Sequence, residues 1–110
     1  MKTALIIFVM LHGSLHALGF LKAYKLVQVS QLTQPVSRLS GALWLLTALL
    51  FVSAAILFAF GLQWWWVPSC IAIVSSEWLI INDWADAKFG TLANVIILIM
   101  TVIGFVAWTL

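Results

Sequence analysis

Long apolar stretches dominate this chain, and short polar connections separate them. The cleanest stretch covers residues 41–62 and contains no charged residue. A helix needs about 20 residues to cross the hydrocarbon core of a bilayer. Because backbone polar groups find no water inside a bilayer, spans of this length are expected to be helices and not strands. The pattern predicts four transmembrane helices at about residues 3–25, 41–62, 66–84 and 91–110, the first continuing past Lys22 to Lys25 or Val27.

Composition supports an all-α fold that lies within a membrane. Of the 110 residues, 65% are hydrophobic and only 7% are charged. A soluble domain of this size needs a larger polar coat, whereas lipid tails solvate an apolar exterior. We therefore expect an integral membrane four-helix bundle that forms a single transmembrane domain over residues 1–110. The short connections leave no room for a soluble catalytic module, which disfavours an enzyme, and the net charge of +2 without a basic cluster excludes nucleic-acid binding.

The loop charges predict an orientation. Lys22, Lys25, Arg38 and Lys88 lie in the first and third connections, and only Lys2 lies on the other side. Lys and Arg accumulate in cytoplasmic loops. The expected orientation therefore places both termini outside and the first and third connections in the cytoplasm.

Three ionisable residues fall inside predicted spans, where such residues are costly and mark functional sites by default. His12 and His16 share one face of the first helix, and Glu77 lies in the third. At 1.5 Å per residue, His12 and Glu77 lie roughly 13 Å and 16 Å along their parallel helices, near the bilayer midplane. Pairing of Glu77 with either histidine is expected if the two helices touch. Three interpretations stay open: a structural polar contact, a proton relay or polar-ligand site, and a metal or haem site.

A second polar group is predicted at the cytoplasmic ends of the same two helices. Lys22, Asp83, Asp86 and Lys88 fall at matching depth there. Pairing of Lys22 with Asp83 or Asp86 is expected to clamp the first helix to the third. The alternative is a polar entrance to the midplane site, and Asn82 and Asn94 are able to join either arrangement.

The seven tryptophans are typical of membrane-interface residues. The run from Trp64 to Trp66 lies at the outer interface and is expected to anchor the bundle among the headgroups. A less favoured alternative is that the indole rings stack on a quinone or another aromatic ligand.

Two short motifs carry a resemblance to a known group. The segment from His12 to Lys22, with Gly13, His16 and Gly19, and the segment 86–91 resemble small four-helix bacterial inner-membrane proteins of the DoxX-like group. The resemblance spans the chain in topology and implies a location in a bacterial inner membrane, with both termini in the periplasm in the orientation above. Some members of such families resemble membrane subunits of quinone-linked oxidoreductases. Four spans also match the small multidrug resistance transporters, but these rely on a glutamate in the first helix, and here no acidic residue precedes Glu77.

Three function classes follow from these observations. The leading one is an accessory or ligand-binding subunit, working as a homo-oligomer or within a larger membrane complex. The second is a proton-coupled transporter that acts as an oligomer, with His12, His16 and Glu77 as its relay. The third is a membrane redox or metal-binding enzyme subunit in which the same three residues are weak metal ligands. No cofactor is firmly implied, although a quinone, a haem or a metal ion would each be compatible.

Overall fold

The computed structural model describes residues 2–30 and 32–109 of the chain. This part is helical and contains no strand. Four helices are long and apolar enough to cross a membrane, which confirms the predicted all-α membrane bundle. The helices are α1 (Lys2–Ala23), α2 (Arg38–Ala59), α3 (Trp66–Asn82, preceded by a 3-10 turn over Gln63–Trp65), the short α4 (Trp84–Ala87) and α5 (Gly90–Thr109).

The four long helices pack around one core, and the bundle as a whole measures 45 × 22 × 22 Å. The chain packs α1 on α2, α2 on α3 and α3 on α5, whereas α5 touches α1 over a short stretch only. The bundle therefore has three close helix pairs and one loose seam between α1 and α5. That seam determines where a cavity forms.

The first helix ends earlier than the hydrophobic pattern predicts. It stops at Ala23, and Lys25 has a positive φ of 56°. The N–H of Lys25 bonds the carbonyl of Lys22, and the N–H of Leu26 bonds that of Leu21, so the chain turns back at the helix end. The prediction that the helix continues to Lys25 or Val27 is wrong for this local reason. The loop that follows folds back over the bundle.

The other boundaries move by a few residues. Helix α2 begins at Arg38, because the Ser37 hydroxyl caps it by accepting from the N–H of Ser40 at 3.1 Å. Helix α3 ends at Asn82, since Asp83 leaves the helical conformation with φ −125° and ψ 37°. Asp83 and the short helix α4 therefore form a connection at the membrane surface.

Small residues bring α1 and α2 together. Gly13, Gly19 and Ala23 lie on the buried face of α1. A Cβ atom on Gly13 would lie 2.7 Å from Cβ of Phe51, and one on Gly41 would meet the side chain of Ala23. Such close backbone approach is a common way to pack membrane helices, which gain no hydrophobic driving force from one another in lipid.

The tryptophan run does not form a uniform interfacial belt. Trp64 is 62% exposed, but Trp65 is only 5% exposed. The Trp65 ring lies 4.8 Å from that of Phe58 and fills the space beside Gly104. The prediction that Trp65 anchors the bundle among the headgroups is therefore wrong, because the 3-10 turn directs this side chain into the bundle.

Candidate functional site

The two histidines of α1 lie together in the interior of the bundle. Their rings are 4.7 Å apart in an edge-on arrangement, and only 8% of His12 and 2% of His16 is exposed. Aromatic rings of α2 hold them from one side, with Phe51 at 5.0 Å from His12 and Trp44 at 5.1 Å from His16. Both imidazoles therefore depend on protein partners for their hydrogen bonds.

His16 has a partner for each ring nitrogen. Nδ1 lies 2.8 Å from the backbone carbonyl of His12, which only accepts, so Nδ1 carries the proton. Nε2 of the neutral ring is then an acceptor, and the hydroxyl of Ser76 donates to it at 2.6 Å. This bond links α1 to α3 at the level of the site.

Asn94 of α5 joins the histidines to the acidic residue. Its Nδ2 donates to Oε2 of Glu77 at 3.0 Å and to Oγ of Ser76 at 3.0 Å. Its Oδ1 lies 2.8 Å from Nε2 of His12, which must donate because an amide oxygen only accepts. A closed ring of hydrogen bonds therefore runs through His12, Asn94, Ser76 and His16, and all three helices α1, α3 and α5 contribute to it.

Glu77 meets this ring through Asn94 and not through a histidine. Its Oε2 accepts from Asn94, and its Oε1 accepts from the hydroxyl of Thr91 at 2.7 Å. The expected pairing of Glu77 with a histidine is thus replaced by a bridge. The sequence did contain a signal for this bridge, since Asn94 is an amide within an otherwise apolar span. From sequence, Asn94 was able to join either the interfacial clamp or an entrance to the midplane site, and the contacts place it between Glu77 and His12.

The predicted metal ligands do not assemble into a coordination site. Both nitrogens of His16 are occupied by hydrogen bonds, and Asn94 and Thr91 occupy the oxygens of Glu77. Within residues 2–30 and 32–109, no three His, Cys, Asp or Glu side chains gather closely enough to hold a metal ion. The set His12, His16 and Glu77 does not fit tetrahedral zinc, which needs convergent free donors.

The interfacial polar group is organised by a loop segment. Nζ of Lys22 donates to the carbonyls of Leu32 and Gln34, the latter at 2.5 Å. The carboxylate of Asp86 accepts from the backbone N–H groups of Thr33 at 2.7 Å and Gln34 at 2.8 Å, and from the Thr33 hydroxyl. The expected direct pairing of Lys22 with an aspartate is replaced by a shared contact with residues 32–34, which we call the lid segment.

The two aspartates of this group differ in their environment. Hydrogen bonds from the Thr33 hydroxyl and from the Gln34 N–H lower the pKa of Asp86 below its usual value. Burial, together with repulsion from Asp86, raises the pKa of Asp83. Oδ2 of Asp83 is buried without a partner among the described residues. Asp86 therefore holds the lid segment as a carboxylate. The partly buried carboxyl group of Asp83 is destabilised in its charged form, and its Oδ2 has no hydrogen bond among the described residues.

Lys88 does not join the group around the lid segment. It is exposed, and its ammonium nitrogen lies 5.5 Å from the centre of the adjacent Phe89 ring. The predicted cluster is thus reduced to Lys22 and Asp86, which hold the lid segment, and to Asp83 beside them.

A cavity of about 240 Å³ lies at the loose seam, between α1 and the connection from α4 to α5. His12 and His16 form its inner end, and the lid residue Leu32 lines it together with Asp86. Most of the remaining wall is apolar and comes from Leu15, Leu18, Trp44, Ile80, Ala87 and Phe89. The arrangement is a mostly apolar pocket with a few polar groups at defined positions, as in many small-molecule sites.

Comparison with protein families, with curated proteins and with solved structures finds no match for this chain. The resemblance to the DoxX-like group therefore stays a prediction. The functional argument depends on the chemistry of the cavity and of the hydrogen-bonded ring beneath it.

Proposed function

We propose that the protein is an accessory subunit of a membrane complex and that it binds one small lipophilic molecule in the cavity above His12 and His16. The observation that carries this proposal is the cavity of about 240 Å³ whose apolar walls end at two buried histidines. Apolar walls favour a lipophilic body, and a few polar groups fix its orientation. The volume fits a compact molecule and not a whole phospholipid.

The rim of the cavity supports entry from the bilayer. Leu15 is 62% exposed and Phe89 is 79% exposed, although both also line the cavity. Each side chain therefore has one surface toward the cavity and another toward the exterior of the bundle. A lipophilic molecule that partitions into the membrane would reach the histidines through the seam between α1 and α5.

The packing next to the site supports binding over proton transport. A relay across the membrane needs polar groups or water through the full thickness of the bundle. On the side of the chain termini, the level next to the ring is filled by buried apolar side chains, namely Val9, Phe51, Ala55, Ala72, Ile73 and Ile97. The hydrogen-bonded ring is also closed on itself. These features favour a ligand site that is accessible from one side.

The proposal places the protein in a bacterial inner membrane with both termini in the periplasm. Lys22, Lys25, Arg38 and Lys88 all belong to the end of the bundle that carries the lid segment, and Lys2 belongs to the other end. Enrichment of Lys and Arg in cytoplasmic loops supports this orientation. The lid segment would then face the cytoplasm.

A cavity-filling variant tests the binding site. Ala87 lines the cavity, and Ala85 of the same short helix is exposed and lies outside it. Wild type, Ala87→Phe and Ala85→Phe are purified in mild detergent, and small molecules retained by each are measured by native mass spectrometry and by solvent extraction. We expect one compound to be retained in near-stoichiometric amount by wild type and by Ala85→Phe. Ala87→Phe should not retain this compound. Equal retention by both variants, or no retained compound in wild type, would contradict the proposal.

Two further measurements test the subunit role and the orientation. Affinity purification from native membranes is expected to recover this chain with the same partner chain in wild type and Ala85→Phe. Recovery of a monomer alone would oppose the subunit role.

The orientation is tested by labelling. In a Cys70→Ser background, a membrane-impermeant thiol reagent applied to intact cells is expected to label Lys2→Cys and to leave Lys25→Cys unlabelled. The reverse pattern would overturn the orientation.

A further inference from the structure

We infer that the molecule in this cavity carries a hydrogen-bond donor, a hydroxyl group on a lipophilic body, and that Nδ1 of His12 accepts from it. The inference rests on the proposed function, because it names the chemical class of ligand for the same cavity. It follows from the direction of each hydrogen bond in the ring beneath the cavity.

The orientation of the Asn94 amide is fixed by Glu77. Glu77 presents a carboxylate oxygen at 3.0 Å, and a carboxylate accepts hydrogen bonds, so the amide nitrogen must face it. Oγ of Ser76 lies 3.0 Å from the amide nitrogen and 3.2 Å from the amide oxygen of Asn94, so it accepts from this nitrogen while its own proton is donated to His16. The amide oxygen therefore faces His12.

This orientation decides which nitrogen of His12 carries the proton. Nε2 lies 2.8 Å from the amide oxygen and must donate to it. In a neutral imidazole the other nitrogen, Nδ1, then has a free lone pair. No residue that the structure describes bonds this Nδ1, and the atom is not fully buried, so it keeps some accessible surface. Its ring lines the cavity, and the neighbouring Cε1 lies close to Gly90, which also lines it.

The other polar side chains at the cavity differ in how far they are engaged. His16 uses both ring nitrogens within the ring of hydrogen bonds. Asp86 accepts three bonds from the lid segment. The indole N–H of Trp44 has no hydrogen bond among the described residues, but it is a donor only. The lone pair of His12 is therefore the free nitrogen acceptor at the cavity among the described residues. It requires a donor, which a phenol or an alcohol supplies and which an ether or a ketone lacks.

The tautomers provide a test that needs no ligand. The chain has two histidines, and the geometry gives them opposite tautomers, with the proton on Nε2 of His12 and on Nδ1 of His16. Nitrogen-15 histidine spectra of the protein in lipid nanodiscs distinguish protonated from unprotonated ring nitrogens, and His12→Phe assigns the signals. Opposite tautomers are expected. A proton on Nδ1 of His12 would overturn the inference whether or not any compound binds.

A matched pair of compounds tests the donor requirement. The phenol 4-butylphenol and its methyl ether, 4-butylanisole, have the same apolar body and differ in the donor. We expect wild type to bind the phenol about tenfold more tightly, the effect of roughly one buried hydrogen bond. The phenol should shift the Nδ1 signal of His12 and leave that of His16 in place. His12→Phe should bind both compounds with similar affinity.

The outcomes separate this inference from the proposed function. If phenol and ether bind wild type equally, and Ala87→Phe abolishes both while Ala85→Phe does not, the cavity is a binding site but the donor requirement is wrong. Tighter binding of the ether would also overturn the inference and would point to a donor in the cavity such as the indole N–H of Trp44. If Ala87→Phe leaves binding of both compounds unchanged, the cavity is not the site and the proposed function fails.

Discussion

The side-chain nitrogen of Asn94 on α5 donates a hydrogen bond to Oε2 of Glu77 on α3 at 3.0 Å. Through the same amide, Glu77 is connected to His12 on α1 without touching it. One residue thus links three helices. Because a membrane interior offers no water to replace such bonds, the bridge influences both the stability of the bundle and the chemistry of the cavity.

Replacement of Asn94 tests the bridge. Asn94→Leu leaves the side chain of His12 without a hydrogen bond and removes one bond each from Ser76 and Glu77, which keep His16 and Thr91 as partners. An unpaired buried group costs about 1–3 kcal/mol in a soluble protein. Polar contacts between membrane helices average less, about 0.6 kcal/mol each. We therefore expect a total loss of roughly 2 kcal/mol in the free energy of unfolding, measured by unfolding in mixed micelles. Asn82→Leu is the control, since Asn82 is exposed and bonds only its own helix. Similar losses in both variants would exclude a special role for the bridge.

The contact between α1 and α2 predicts a second result. A Cβ atom on Gly41 would overlap the side chain of Ala23, so Gly41→Val forces the two helices apart. Overpacking of this kind costs about 1–3 kcal/mol. Ala42→Val adds a similar volume to an exposed position on the next residue and should change stability by less than about 0.5 kcal/mol. Thermal unfolding of the two variants in the same detergent distinguishes them, and an equally stable Gly41→Val would show that the helices do not approach this closely.

The tryptophan run predicts a third result. Trp65 is buried against Phe58 and Gly104, whereas Trp64 is exposed. Trp65→Ala should lower the free energy of unfolding by about 3–5 kcal/mol, since it leaves a large cavity. Trp64→Ala should cost less than about 1 kcal/mol. Equal losses would instead support an interfacial role for both side chains.

Acid titration tests the lid segment. The folded state lowers the pKa of Asp86 below its usual 3.8, so its contribution to stability is present above that value and is lost as the pH falls through the folded-state pKa. At neutral pH the amides of Thr33 and Gln34 should be protected from hydrogen exchange in wild type. Asp86→Ala should remove this protection, because it deletes the oxygen that accepts from both N–H groups. Unchanged protection would show that Asp86 does not hold the lid.

Asp83 provides a matched comparison with the opposite sign. Its folded-state pKa is raised, so the folded protein favours the neutral acid, and the charged form is unfavourable as the pH rises through the folded-state pKa. Asp83→Asn should therefore increase stability at neutral pH and leave the protection of Thr33 and Gln34 intact. A loss of stability in Asp83→Asn would indicate that its carboxylate has a favourable partner in the membrane-bound protein.

Several features of the site followed from sequence, and the physical reason is the periodicity of a helix. His12, His16 and the glycines of α1 share one face because residues three and four positions apart lie above one another. Their burial was therefore predictable from one helix alone. The common depth of His12 and Glu77 also followed, since both lie about midway along parallel helices of similar length. These statements needed no knowledge of how the helices pack.

The bridge and the lid depended on contacts between distant segments. Asn94 lies 82 residues from His12 along the chain, and Thr33 lies 53 residues from Asp86. No local sequence pattern predicts that α5 places the Asn94 amide between α1 and α3. Likewise, none predicts that the loop after α1 folds back onto α4. The expected ion pair of Lys22 failed for the same reason, because backbone carbonyls of the lid segment were closer partners than a carboxylate.

The sequence by itself determined that this protein is a bundle of four membrane-spanning helices. The length and hydropathy of a segment are local properties, and they decide whether that segment can cross the bilayer. The sequence also determined which residues have to be buried on α1. Only the tertiary structure decided that Asn94 separates Glu77 from the histidines, that α1 and α5 meet loosely enough to leave a cavity, and that His12 offers it a lone pair. Those properties depend on the relative rotation and spacing of helices, which side-chain packing sets and which a single sequence does not encode locally.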